Sequence, residues 1–261
     1  MNDAIIYSLL VAIAIGLAAG YLGSIMVLEK MALVGDALSH VALPGLAIGI
    51  LYNFNPFFGA FIFLFASAII IWQIQRTTKL SFDTIVGSTF TLALAIGVLL
   101  VPAPDLLEAL FGDISKIDVF DSVLAIAVSI IAIGLTRYIY KKIVLSLISE
   151  ELAVSTGVNV AWNNLLYLLL VSLVVAIGIK ITGTLLVGYL VVTPAAAAKT
   201  VSSNLYRYMT LSSIFGAVSA FTGVLLSDYF SLPPGPLVVL SGITIFAIVL
   251  LIRWSQKITI V

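Results

Sequence analysis

Long apolar runs follow one another along nearly the whole chain, and they constrain the fold more than any other feature. A helix of about 20 apolar residues crosses a bilayer core about 30 Å thick. Polar residues, Pro and Gly divide the chain into nine such segments: 4–28, 31–52, 56–73, 84–101, 122–140, 163–179, 183–198, 208–226 and 237–252. The sequence therefore predicts an all-α, polytopic integral membrane helical bundle with about nine transmembrane helices, or eight.

Composition supports a single membrane domain. Of the 261 residues, 62% are hydrophobic and 9% are charged, against roughly 45–50% and 25% in a soluble domain. Because no hydrophilic block is long enough to fold separately, we expect one transmembrane domain over 1–261. The first segment has no basic run before it and no cleavage pattern, so we interpret it as a retained helix. Gly16, Gly20 and Gly23 give it a small-residue face suited to close helix packing.

The distribution of basic residues predicts the orientation. A path of nine alternating helices places ten of the twelve basic residues on one side: Lys30, Arg76, Lys79, Arg137, Lys141, Lys142, Lys199, Arg207, Arg253 and Lys257. Only Lys116 and Lys180 fall on the other side. By the positive-inside rule, the N-terminus lies outside and the C-terminus lies in the cytoplasm.

Several functional classes are excluded or weakened by what the sequence lacks. The absence of cysteine removes thiolate chemistry and, with only four methionines, argues against a copper(I) pathway. A formal net charge of zero with no basic cluster gives no sign of nucleic-acid binding. One histidine, with no HExxH or GxSxG motif, leaves an intramembrane hydrolase weakly supported. No GxxxxGK[ST] loop is present, so the chain cannot supply ATP chemistry itself.

Two ionisable residues interrupt the apolar segment "MALVGDALSHVALPGLAIGI" at 31–50. Asp36 and His40, the only histidine, are four residues apart, so their side chains lie on one face of a helix about 6 Å apart and can share a ligand. A carboxylate at the middle of a membrane costs at least about 2.5–3.5 kcal/mol, which marks it as a functional candidate. The alternative is structural, with Asp36 hydrogen-bonded to a neighbouring helix and His40 packed in the core.

An imidazole with a carboxylate suits divalent zinc, manganese or iron(II). Two ligands cannot complete a shell of four to six, but a symmetric dimer that brings two copies of Asp36 and His40 together supplies four. Its two carboxylates also neutralise a doubly charged ion. We therefore expect an exchangeable metal site of modest affinity at a homodimer interface.

Two prolines fall inside predicted helices. Pro44 lacks the N–H that would bond the carbonyl of His40, and Pro194 likewise frees the carbonyl of Leu190. Irregular backbone at membrane depth is tolerated where it lines a pathway or is buried in protein. We interpret Pro44 and Pro194 as candidate gate or hinge residues, with simple helix packing as the alternative.

The outward loop at 102–121 is acidic. It carries Asp105, Glu108, Asp113, Asp118 and Asp121 against the single Lys116. Such a loop could attract cations or dock a soluble partner, or it could be a solvated loop without a role. Asp228 and the "PPGP" turn are also expected on the outer side.

The segment "GDALSHVALPGLAIG" resembles the signature of the membrane permease subunit of ATP-binding-cassette importers for zinc, manganese or iron(II). Further similarity lies in "FGDI" at 111–114, "ISEELAVSTGVNV" at 148–160, "VVTPAAAA" at 191–198 and "PPGPLVVL" at 233–240. The resemblance implies a prokaryotic plasma-membrane protein in which two permease copies form the pore, two cytoplasmic ATPases drive it, and an extracytoplasmic binding protein delivers the metal. Asp36 and His40 match the residues expected to touch the ion in transit.

The resemblance also implies a coupling helix that docks into the ATPase. Ser149 can cap this helix, Glu150 and Glu151 suit its first turn, Leu152 follows, and Gly157 can end it. Taken alone, the stretch could equally be an ordinary loop helix.

The sequence thus favours a non-enzymatic permease subunit of an ATP-driven importer for manganese or zinc, with iron(II) as a third candidate. No permanently bound cofactor is expected, only the transported ion, and "SHVALPG" resembles manganese-type members more than zinc-type members. A proton- or cation-coupled secondary metal carrier that uses the same pair as a proton relay is the alternative.

Overall fold

The computed structural model describes residues 3–100, 110–112, 117–184 and 187–258. In this part of the chain the polypeptide forms ten helices and no strands. They are α1 (Asp3–Leu28), α2 (Ala32–Leu51), α3 (Pro56–Thr77), α4 (Phe82–Leu100), α5 (Val119–Ile148), α6 (Glu150–Ser155), α7 (Val160–Thr182), α8 (Val187–Val201), α9 (Leu205–Phe230) and α10 (Pro234–Ile258). Helices satisfy their own backbone hydrogen bonds, which apolar surroundings require. The predicted all-α bundle is confirmed.

Each of the nine predicted segments falls on one of these helices, but they are not equal in length. Eight of the described helices are long and apolar enough to cross a membrane. The seventh predicted segment, 183–198, begins late as α8, because α7 extends to Thr182 and Gly183 takes a φ of 72°. With 15 residues, α8 is about 22 Å long, less than the thickness of a bilayer core.

Helix α5 shows why several predicted boundaries fell short. It was predicted over 122–140, but it runs from Val119 to Ile148. The prediction stopped before Lys141 and Lys142, where the apolar segment ends, whereas the helix continues past them. Its start is fixed by a capping box in which the backbone N–H of Asp121 donates to the Asp118 carboxylate.

The helices alternate in direction between two ends of the bundle. The helices α1, α3 and α5 all end on the same side of the bundle, and we call that side the basic end. There the indole N–H of Trp72, late in α3, donates to the carbonyl of Ala161, early in α7, at 2.8 Å. At the opposite end the hydroxyl of Ser122, early in α5, donates to the carbonyl of Tyr7, early in α1. The start of α7 therefore lies beside the end of α3, and the start of α5 lies beside the start of α1.

The glycine face predicted on α1 forms a close helix contact. A Cβ added to Gly16 would lie 2.5 Å from the carbonyl oxygen of Gly216 on α9, and one added to Gly20 would meet Ser212. The Ser213 hydroxyl also donates to the carbonyl of Leu17 at 2.6 Å. Small residues thus let the backbones of α1 and α9 touch.

Burial is uneven, and it places α2 at the centre. In α2, 78% of the membrane span is buried, and in α1 67%, whereas α4 and α10 are each 22% buried.

Most of the predicted acidic outer loop, including Asp105, Glu108, Asp113, Lys116 and part of "FGDI", lies outside the described residues.

Candidate metal site

The candidate ligands lie on the central helix α2. Asp36 and His40 are one turn apart on Ala32–Leu51, as predicted, and the helix continues through Pro44. The His40 Nε2 is 3.9 Å from the Asp36 Oδ1. This distance is too long for a hydrogen bond.

The separation is close to what a shared ion requires. Two nitrogen or oxygen ligands at about 2.1 Å from a tetrahedral metal are about 3.4 Å apart. The observed 3.9 Å exceeds that separation by about 0.5 Å, which a small side-chain rotation closes. The pair can therefore hold one ion between a carboxylate oxygen and an imidazole nitrogen without refolding of α2.

The two side chains differ sharply in exposure. The Asp36 side chain is 54% exposed, whereas that of His40 is 9% exposed. Leu33, one turn earlier on the same face, is also exposed. Asp36 therefore opens onto the outside of the single chain while the imidazole is covered.

Phe90 of α4 supplies part of that cover. Its ring packs against the His40 ring with centroids 5.1 Å apart and an interplanar angle of 69°, an edge-to-face contact. The Nδ1 of His40 is buried and has no hydrogen-bond partner among the described residues. The imidazole is thus held by packing rather than by a hydrogen bond.

The backbone of α8 supports Asp36 from the other side. A Cβ added to Gly188 would lie 2.5 Å from the Asp36 Cα and 2.6 Å from its nitrogen. Within α2, the hydroxyl of Ser39 lies 2.8 Å from the Gly35 carbonyl and 2.7 Å from the Asp36 carbonyl, to which it donates. The position of Asp36 is therefore fixed by direct backbone contact between α2 and α8.

The other sequence candidates lie on separate elements. Pro194 is buried inside α8, six residues after Gly188. The segment 149–157 forms α6, where the backbone N–H of Leu152 donates to the Ser149 hydroxyl at 3.2 Å and Gly157 takes a φ of 80°. The predicted local geometry of α6 is confirmed, and neither Pro194 nor α6 is brought against Asp36 or His40 as a further ligand.

Sequence reasoning missed Phe90 and Gly188. Phe90 is one of 14 phenylalanines and Gly188 is one of 19 glycines, so neither stands out by type. Their importance comes from α4 and α8 packing against α2, which no local pattern reveals. Among the described residues, no cluster of three or more His, Cys, Asp or Glu is present.

Comparison with known proteins identifies the family. The model of the ABC 3 transport family matches residues 1–253. The chain is 34% identical over 253 residues to the manganese transport system membrane protein MntC of Listeria monocytogenes, covering 95% of this chain and 90% of that protein. It is 30% identical over 237 residues to the high-affinity zinc uptake system membrane protein ZnuB of Buchnera aphidicola, covering 88% and 91%.

A solved structure shares the fold. PsaBC from Streptococcus pneumoniae, in complex with Fab, contains a chain that superposes with a TM-score of 0.81 at 31% identity, covering 93% of this chain and 89% of that one. The chain therefore belongs to the ABC 3 transport family and is a multi-pass, non-enzymatic permease subunit of an ABC transporter in a bacterial plasma membrane.

Proposed function

We propose that this chain is the permease subunit of an ATP-driven importer for manganese or zinc. The observation that carries the proposal is the Asp36 and His40 pair, which lies on the central helix at a separation that one divalent ion can bridge. The names of the relatives add support, since MntC is a manganese transport protein and ZnuB a zinc uptake protein. Both ions accept imidazole and carboxylate ligands.

The site is completed by a second copy of the chain. One copy offers two ligands, and the open side of Asp36 leaves room for an identical pair across a two-fold axis. The four ligands include two carboxylates, which balance a doubly charged ion.

The face of α4 beside this site suits the second copy. Thr84, Ser88 and Thr91 are exposed on it, and the hydroxyls of the latter two donate to backbone carbonyls four residues earlier. Gly87, between them, has no atom within 4 Å of an added Cβ. Small polar residues are typical of helix contacts within membranes rather than of lipid-facing surfaces.

Energy is supplied by a separate ATPase that docks at α6. Leu152 and Val154 are 49% and 60% exposed on this short helix, and Ser149, Glu150, Glu151 and Gly157 shape its two ends. Exposed apolar residues on a capped helix offer a firm contact through which ATPase movement reaches the bundle. A binding protein delivers the metal at the opposite end.

Orientation and gating complete the proposal for the single domain over 1–261. The basic end faces the cytoplasm, so that the N-terminus lies outside and the C-terminus inside. Pro44 and Pro194, both inside helices, serve as gate or hinge positions because each removes a backbone hydrogen bond.

The decisive experiment is manganese and zinc uptake by cells that carry the chain with its ATPase. We expect Asp36→Ala and His40→Ala to lower uptake by at least roughly tenfold, with the proteins still inserted and assembled. Asp228→Ala, which removes an exposed carboxylate near the end of α9, is the matched control and should transport normally.

Two outcomes would contradict the proposal. If uptake survives both substitutions, the pair is structural. If uptake persists with an ATPase that cannot hydrolyse ATP, the chain is a secondary carrier.

A further inference from the structure

We propose that Phe90 controls access to His40, so that an incoming ion meets Asp36 first and the imidazole only after the aromatic ring has moved. This role rests on the proposed function, because it concerns the same ion path. It adds a residue from a different helix to that path.

The first support is the unequal exposure of the two ligands. Asp36 is 54% exposed and His40 9%, although they are one turn apart on the same helix. The ring of Phe90 packs at 5.1 Å against the imidazole. Within one chain, the carboxylate is therefore open toward the space that the two copies would share, whereas most of the imidazole is covered.

The second support is that the imidazole must rotate before it takes a ligand. A metal binds an imidazole nitrogen in the plane of the ring, along the lone pair. The Nδ1 is buried without a partner, and the Nε2 faces Asp36 across 3.9 Å. The His40 side chain must therefore rotate to share an ion with Asp36, and the Phe90 ring packed against it restricts that rotation.

The third support is that α4 makes limited contact with the rest of its own chain. It has one of the two least buried membrane spans, 22%, and it packs mainly on α2, with a smaller contact to α3. Its close approach to α2 lies at Gly97, where an added Cβ would be 2.7 Å from the Leu43 Cβ. Phe90 is about two turns from that point, so a small tilt of α4 there moves the ring off His40.

The contact itself is suited to reversible opening. An edge-to-face aromatic pair is worth only a small multiple of the thermal energy, so binding of a metal by the imidazole can displace it. The order also has a chemical consequence. Carboxylates suit hard ions such as magnesium, calcium and manganese, whereas imidazole suits zinc and iron, so the covered ligand provides the second and more selective contact.

The sole histidine makes the test direct. The purified complex is treated with diethyl pyrocarbonate without metal, and modification of His40 is followed by peptide mass spectrometry. The variants are Phe90→Ala, Phe90→Leu and, as a matched control, Leu92→Ala, which removes a 62% exposed side chain from the same helix. Thermal unfolding of each complex verifies that it is assembled.

We expect Phe90→Ala to raise the modification rate severalfold, because the truncation uncovers an imidazole that is 9% exposed in the wild type. Phe90→Leu should give a smaller rise, and Leu92→Ala none. Equal modification rates in the wild type and in an assembled Phe90→Ala complex would overturn the proposed role of Phe90 and leave the proposed function standing. Normal uptake by Asp36→Ala and His40→Ala would overturn the proposed function, and the ordered ion contact with it.

Discussion

Gly188 determines how closely α8 approaches Asp36. A Cβ at this position would meet the Asp36 backbone at 2.5 and 2.6 Å, and neither atom can move without moving α2. We expect Gly188→Ala to lower metal affinity roughly 10–100-fold, because a ligand displaced by about 1 Å loses productive geometry. Metal titration of the purified complex measures this effect.

Gly134→Ala is the matched control for Gly188→Ala. An added Cβ at Gly134 has no atom within 4 Å, so this substitution should bind metal as the wild type does. A Gly188→Ala complex with unchanged affinity would show that α8 does not position Asp36.

Glu29, in the turn between α1 and α2, gives stability a pH dependence. Burial raises the pKa of its carboxyl from 4.5 to about 7. The folded chain therefore holds a proton that the unfolded chain releases, and stability falls as the pH rises from about 4.5 to about 7 and levels off above that.

We expect Glu29→Gln, which mimics the protonated carboxyl, to raise the unfolding temperature by a few degrees at about pH 8 and to change it little at about pH 4.5. Thermal unfolding in detergent at the two pH values measures the difference. Glu150→Gln, at an exposed carboxylate of α6, is the control. An equal gain at both pH values would rule out deprotonation of Glu29 as the cause.

At the scale of elements, α6 depends strongly on its cap. It has six residues, too few to be stable alone, and the Ser149 hydroxyl satisfies the backbone N–H of Leu152. We expect Ser149→Ala to destabilise this helix by about 0.5–2 kcal/mol. Transport-coupled ATP hydrolysis should fall, while metal binding at Asp36 stays intact.

The effect of Ser149→Ala is measured as the ATP hydrolysis rate of the complex reconstituted with purified ATPase. Ser149→Asp should restore coupling, because aspartate caps as well as serine. Undiminished stimulation of the ATPase in Ser149→Ala would show that α6 is not the coupling element.

At the scale of the whole molecule, the absence of native cysteine allows the orientation to be tested directly. Lys79→Cys places a thiol at the basic end, and Tyr229→Cys places one at the opposite end on a residue that is 81% exposed. An impermeant maleimide added to intact cells should label the Tyr229→Cys variant. It should label the Lys79→Cys variant only after the cells are permeabilised. The reverse pattern would show that the orientation is the opposite of the one proposed. Labelling of both variants in intact cells would contradict the alternating path.

The sequence by itself determined the membrane class, the helical segments, the shared face of Asp36 and His40, and the Ser149 cap. Each of these depends on residues within a few turns of one another, where apolar runs, helical period and capping preferences act locally. The glycine face of α1 was also readable, because its spacing lies within one helix, although its partner α9 was not.

Only the tertiary structure decided which side of the site is open. That Phe90 covers His40, that Gly188 touches Asp36, and that α8 is a short helix follow from how α4 and α8 pack against α2. Phe90 is 50 residues after His40 and Gly188 is 152 residues after Asp36. Contacts over such separations depend on the arrangement of whole helices, and that arrangement leaves no periodic trace in the sequence.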